Sequence, residues 1–177
     1  MKKGFTIIIL AEDRTGLLVR VAGIFSRRRI VIESLDVAPS EAAGICRFTI
    51  TVTETEEVTR KLVQQIDKQV DILKTFFYAD EEVVWQEQVL YSTKTNSINE
   101  ILKSGVRYVA TYEEYAVFET TGTASSINTL TGMLRPYLTA VVKGGRISMT
   151  NYSFLHKELR EMEEKETEEM DADNVIV

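Results

Sequence analysis

What most constrains this chain is the order in which its hydrophobic period changes between residues 5 and 79. Residues 5–11 form an unbroken apolar, β-branched run, the pattern of a buried strand. A loop, Glu12-Asp13-Arg14-Thr15-Gly16, follows it. Residues 17–29 carry Leu17, Leu18, Val21, Ala22, Ile24 and Phe25 at helical spacing, and Arg27-Arg28-Arg29 closes that helix at the negative end of its dipole. Residues 31–37 read as a second strand, with a loop through Pro39 after it. In residues 45–53, Cys46, Phe48, Ile50 and Val52 alternate with Arg47, Thr49, Thr51 and Thr53, the period of a third strand. A second helix begins at Thr55, with Glu56 and Glu57 in its first turn and Val58, Leu62, Val63, Ile66 and Val70 as its stripe. Residues 72–79 are a fourth strand. Two right-handed crossovers in one antiparallel sheet place this β-α-β-β-α-β order in the α+β class with ferredoxin-like topology. Both helices then cover one sheet face, and the other is solvated or packs on something, which makes it a docking surface.

The second half repeats the order without repeating the letters. Strands are expected at residues 83–93, 107–112, 115–121 and 140–149, the last broken by Gly144-Gly145. Helices are expected at 96–103 and 123–137, with Pro136 ending the latter, and a terminal helix at 154–165. The chain therefore reads as two ferredoxin-like βαββαβ domains, residues 1–79 and 80–165, plus that C-terminal helix. The boundary falls at Asp80-Glu81-Glu82, and residues 166–177 are an acidic tail expected to be disordered.

Residue counts remove much chemistry. One Cys and one His make neither a disulfide nor a Cys/His zinc site, so no metal site is expected. A nucleophilic triad would rest on His156 alone, and neither phosphate-cradling glycine motif occurs, so no catalytic residue is assigned. From Lys157 to Asp173 nine acids face three bases, which accounts for the whole net charge of −6 and leaves residues 1–156 neutral. A neutral body with an acidic end does not suit a phosphate backbone, so no nucleic acid is expected. No apolar run of about 18 residues occurs, so no membrane span is expected. The opening lacks a small-residue cleavage site, and the expected location is cytoplasmic.

The loop before the first helix carries the most chemical information. A helix N-terminus with Gly16 at its edge offers backbone N–H groups to an anion. An amino acid brings a carboxylate for them, and Asp13 is placed to accept from its ammonium. The plainer reading is that Asp13 or Thr15 caps the helix and Gly16 permits a tight turn. Cys46 reads as a buried small hydrophobe, and Trp85, Tyr91, Tyr108 and Tyr112 as core or interface aromatics.

The stretches Glu12-Asp13-Arg14-Thr15-Gly16-Leu17-Leu18, Gly23-Ile24-Phe25-Ser26-Arg27-Arg28 and Ile32-Glu33-Ser34-Leu35 resemble the acetolactate synthase (acetohydroxyacid synthase) small regulatory subunit family, whose first domain is of the amino-acid-sensing ACT type. Arg47-Phe48-Thr49-Ile50 and residues 65–73 fit its third strand and its second helix running into the fourth strand. The resemblance implies a non-catalytic subunit of branched-chain amino acid biosynthesis. Such a subunit binds and activates the acetolactate synthase catalytic (large) subunit and confers feedback inhibition, usually by valine. Thiamine diphosphate, Mg and FAD are expected in that partner, and no cofactor in this chain. It also implies a homodimer paired through ACT edge strands, with the branched-chain effector between the first loop of one copy and the second strand of the other. Carried onto this sequence, the effector-binding residues are Asp13, Arg14, Thr15, Gly16, Leu17, Leu18, Val31 and Ile32. Three positions depart from the family pattern. Asp13 replaces a usual Asn, Arg29 a usual Gly, and Val31 the Asn that holds the ligand. Loss of a hydrogen bond to a charged group weakens binding by about 1.5–3 kcal/mol, so effector binding is expected to be weak, altered or absent. The second reading is a stand-alone ACT-type sensor for another enzyme or a transcription factor.

Overall fold

A computed structural model describes residues 1–149. The expected helix at 154–165, the acidic tail and His156 lie outside the described residues. The first half comprises β1 (Lys3–Glu12), α1 (Leu17–Arg28), β2 (Ser34–Pro39), β3 (Ile45–Glu54), α2 (Glu56–Ile66) and β4 (Ile72–Ala79). Its sheet has the order β2-β3-β1-β4, with β1 antiparallel to both β3 and β4. The central position of β1 explains its continuous apolar run, since it is covered on both faces. Phe5, Ile7, Ile9 and Ala11 join Leu17, Val21, Ile24, Phe25, Leu62 and Ile66 in the core beneath the helices. Thr55 caps α2 by accepting from Val58 N at 3.4 Å, and Arg28 Nε donates to Gln65 Oε1 at 2.6 Å across the two helices.

A short 3₁₀ turn, Asp80–Glu82, leads into the second half. There β5 (Val84–Lys94), α3 (Ile98–Leu102), β6 (Arg107–Tyr112), β7 (Tyr115–Gly122), α4 (Ala124–Leu134) and β8 (Leu138–Met149) build a sheet of order β6-β7-β5-β8. Both halves are thus four-stranded antiparallel sheets with two helices on one face, the ferredoxin-like plan. The second core is smaller, centred on Val89, Tyr91, Ala116, Phe118, Ile127 and Leu134. Tyr91 buries its ring and satisfies its hydroxyl on Thr131 Oγ1 at 2.8 Å.

Four local expectations are corrected. Strand β2 starts at Ser34, so residues 31–33 belong to the connector. Val70 is 94% exposed and lies past the end of α2, whose C-cap is Asp67; the Asp67 side chain turns back to accept from Thr75 N at 2.9 Å. Gly144-Gly145 do not break the last strand. Val89 pairs with Lys143 and Glu87 with Arg146, so the two glycines oppose Gln88 alone and form a bulge. Pro136 lies in a 3₁₀ turn after α4, within the span read as helix.

The helix-free face of the first sheet is not a bare docking surface. Thr6, Ile8, Leu10, Thr49 and Thr51 on that side are buried. The far end of β8 lies against the sheet's β2 and β3 side. Arg146 N donates to Ser34 Oγ at 2.9 Å, and Arg47 Nη2 donates to the Ser148 carbonyl at 2.8 Å. The Arg146 guanidinium stacks on Trp85 at 3.7 Å from the ring centroid and pairs with Asp80 Oδ2 at 3.0 Å. A side chain at Gly145 would stand 3.4 Å from Ser34 Oγ, in ordinary contact with the β2 edge.

Candidate functional site

The loop after β1 is held at both ends by backbone bonds. Glu12 N donates to the Asp71 carbonyl at 3.1 Å and Asp13 N to the Gly44 carbonyl at 2.8 Å. Gly16 then takes φ 87° and ψ −6° at the N-cap of α1. A Cβ there would meet nothing within 4 Å, so the requirement for glycine is conformational and not steric crowding. Neither Asp13 nor Thr15 caps the helix, contrary to the plainer sequence reading: no side chain caps it, and its first turn holds no acid. Leu17 N is engaged with the Arg14 carbonyl at 3.3 Å. The tip of α1 is exposed at Gly16 and Leu18 and carries no side-chain cap.

Arg14 is committed elsewhere. It pairs with Glu12 Oε2 at 2.6 Å and approaches Asp71 Oδ1 at 3.7 Å, while Arg20 pairs with the same buried carboxylate. Asp71 therefore ties the loop and α1 to the start of β4. Sequence reasoning missed it, because an acid just before a strand gives no sign of which cations it will meet. Asp13 is exposed; its charge, after burial itself, helps push the Cys46 thiol above its ordinary range.

The expected effector residues divide into two groups. Leu17 is buried and Ile32 packs against the core, so both shape the site from below. Asp13, Arg14, Thr15, Gly16, Leu18 and Val31 are exposed. Within one chain they do not converge. Gly16 precedes α1 and Val31 follows it, so the two stand at opposite ends of a 12-residue helix, roughly 18 Å apart at 1.5 Å per residue. The turn between α1 and Val31 is a Schellman closure. Ile30 N donates to the Phe25 carbonyl at 3.1 Å and Arg29 N to the Ser26 carbonyl at 3.0 Å, with Arg29 left-handed at φ 57°. Among the described residues no group of three His, Cys, Asp or Glu side chains is disposed to hold a metal ion. No helix there is long and apolar enough to cross a membrane.

Comparison with known proteins decides the family. The model for the AHAS small subunit-like ACT domain matches residues 7–74. The acetolactate synthase small subunit of Bacillus subtilis is 33% identical over 146 residues, covering 77% of this chain and 83% of that protein. The chain belongs to the acetolactate synthase small subunit family. The Mycobacterium bovis acetolactate synthase small subunit is 27% identical over 155 residues, covering 84% of this chain and 92% of its own length. The crystal structure of the Thermotoga maritima acetolactate synthase small subunit superposes with a TM-score of 0.73 at 21% identity, over 85% of this chain and 98% of that one. The two-domain ferredoxin-like plan is thus shared along the described length, second half included.

Proposed function

We propose that this chain is the regulatory subunit of acetolactate synthase in branched-chain amino acid biosynthesis. The likeness to the Bacillus subtilis small subunit, which runs through both halves and not only through the ACT module, carries this reading. A likeness confined to residues 7–74 would have suited a stand-alone sensor equally well. The catalytic chemistry, with thiamine diphosphate, Mg and FAD, belongs to the large subunit. This chain acts through differential affinity: the catalytic subunit favours one arrangement of the regulatory dimer and the effector another.

The separation of Gly16 from Val31 supports an effector site completed by a second copy. A two-fold pairing of edge strands brings the α1 tip of one protomer to the β2 entrance of the other and makes two equivalent sites. The edge at β2 is partly available for this. Its Val37, Ala38 and Pro39 end is exposed, whereas its Ser34 end already lies against Gly145 and Arg146 of the same chain. Val31 is 75% exposed and has no hydrogen-bonding side chain, so valine is held weakly if at all. Restoring a donor and acceptor with Val31→Asn is expected to strengthen valine binding by roughly tenfold or more. Isothermal titration of the two chains measures this. Low-micromolar binding by the unaltered chain, abolished by substitution at Gly16, would contradict the role given to Val31. Co-elution of the purified chain with the cognate thiamine-diphosphate catalytic subunit tests the partnership itself; separate elution at micromolar concentration contradicts it.

A further inference from the structure

The two halves enclose a cleft of about 270 Å³ on the helix-free face of the first sheet, away from the tip of α1. Its floor and rim are apolar, from Leu10, Pro39 and Ile147. Its charged groups are of both signs: the Arg47 guanidinium, with Asp36 and Glu41 beside it. Strand pairing dictates this meeting. Leu10 faces Arg47 across β1 and β3, Arg47 faces Ala38 across β3 and β2, and Asp36 lies on the same side of β2. The strand β8 closes the wall with Ile147 and Ser148.

The polar set of this wall is not complete within the chain. Arg47 gives one N–H to the Ser148 carbonyl, but its Nε and the Ser148 Oγ are buried without a hydrogen-bond partner. Burial pulls the Arg47 guanidinium below its ordinary range, and Asp36 and Glu41 oppose that pull. A desolvated cation short of acceptors favours an anion, and the two carboxylates favour an amine. A pure anion in the cleft would meet Asp36 and Glu41, and a pure amine would meet Arg47. A small molecule carrying both charges and an apolar body satisfies all three. The volume lies just below the roughly 300–1,000 Å³ of drug-sized ligand sites, which suits a metabolite and not a peptide.

We infer that this cleft is a second ligand site, separate from the α1 tip, for a small zwitterion with an apolar side chain, an α-amino acid of about the size of leucine. Arg47 takes the carboxylate, Asp36 and Glu41 the ammonium, and Leu10, Pro39 and Ile147 the side chain. Because its walls come from both halves, occupancy holds β2 and β8 together.

The test is isothermal titration of L-leucine into the full-length chain, compared with leucinamide, which lacks the carboxylate, and 4-methylpentanoate, which lacks the ammonium. Saturable L-leucine binding at least tenfold tighter than either analogue is expected. Arg47→Lys keeps the charge but loses the planar fork, and Asp36→Asn loses the ammonium partner; each is expected to weaken L-leucine binding at least fivefold. No saturable L-leucine binding at 10 mM (roughly 2.7 kcal/mol by the affinity scale) overturns the inference. So does binding that both analogues match, or binding abolished at Gly16 but indifferent to Arg47 and Asp36. Activation of the catalytic subunit is read separately and stands or falls on its own.

Discussion

Arg29 occupies a backbone conformation that glycine adopts freely. Its φ of 57° closes the Schellman turn after α1, and a side chain there is strained by roughly 1 kcal/mol or more. Part of that is regained in the unfolded chain, which glycine loosens. Arg29→Gly is therefore expected to raise stability by about 0.5–1 kcal/mol, read as a higher denaturant midpoint at unchanged slope; a lower midpoint would contradict the assignment. The sequence showed this residue as a departure from family habit, but only the backbone shows what the departure does. Cys46 is the reverse case. Its alternation in residues 45–53 already placed it inward, and it is buried, with Sγ 3.5 Å from the Ala11 carbonyl. Burial first, and Asp13 second, push its thiol up. The folded chain therefore holds that proton more tightly than the unfolded one. The contribution is fully present below the ordinary thiol range, about 8.5, and is lost as pH rises through the higher folded value. Stability is expected to fall above about pH 8.5, and Cys46→Ala to flatten that part of the profile. Equal slopes in both chains would refute the cause given.

At the scale of elements, the strands and helices of the first half were legible because each announces its period over a full length and each crossover demands the next. The errors fall where period and pairing part company. Val31 and Ile32 look like the start of a strand, yet the ladder to β3 takes hold only at the Glu33 N–H, which donates to the Thr51 carbonyl at 2.9 Å, and at Ser34. Two glycines looked like a break because their pairing partner lies in a strand fifty-odd residues away (Gln88, opposite Gly144 and Gly145). Asp71 was invisible for the same reason: its meaning lies in Arg14 and Arg20, which reach it only after the fold closes. Asp71→Asn removes the carboxylate that Arg20 pairs with and leaves Arg14 with Glu12, and both guanidinium groups are substantially exposed. Destabilisation of about 1–2 kcal/mol is expected, and chemical denaturation measures it; no change would show the pairs to be idle.

At the scale of the whole molecule, the chain was readable as two similar halves in contact, but not which residues make that contact. The alternation of Arg47 and Thr49 with apolar residues marked a second face of the first sheet; nothing local marked Arg146 and Ser148 as what meets it. The residues proposed for the effector site came from family likeness alone; in the fold they stand at opposite ends of α1, which is why the proposed site calls for a second copy. Light scattering on the purified chain is expected to give twice the 20.1 kDa of the monomer, and a strict monomer at micromolar concentration would remove the shared site. The account's central claim is that this protein governs a reaction carried out by another. Acetolactate formation from pyruvate by the cognate catalytic subunit, assayed with and without the purified chain, tests that claim most directly. The account predicts a rise of several-fold that saturates with added chain, and a rate indifferent to the chain at every ratio would contradict it.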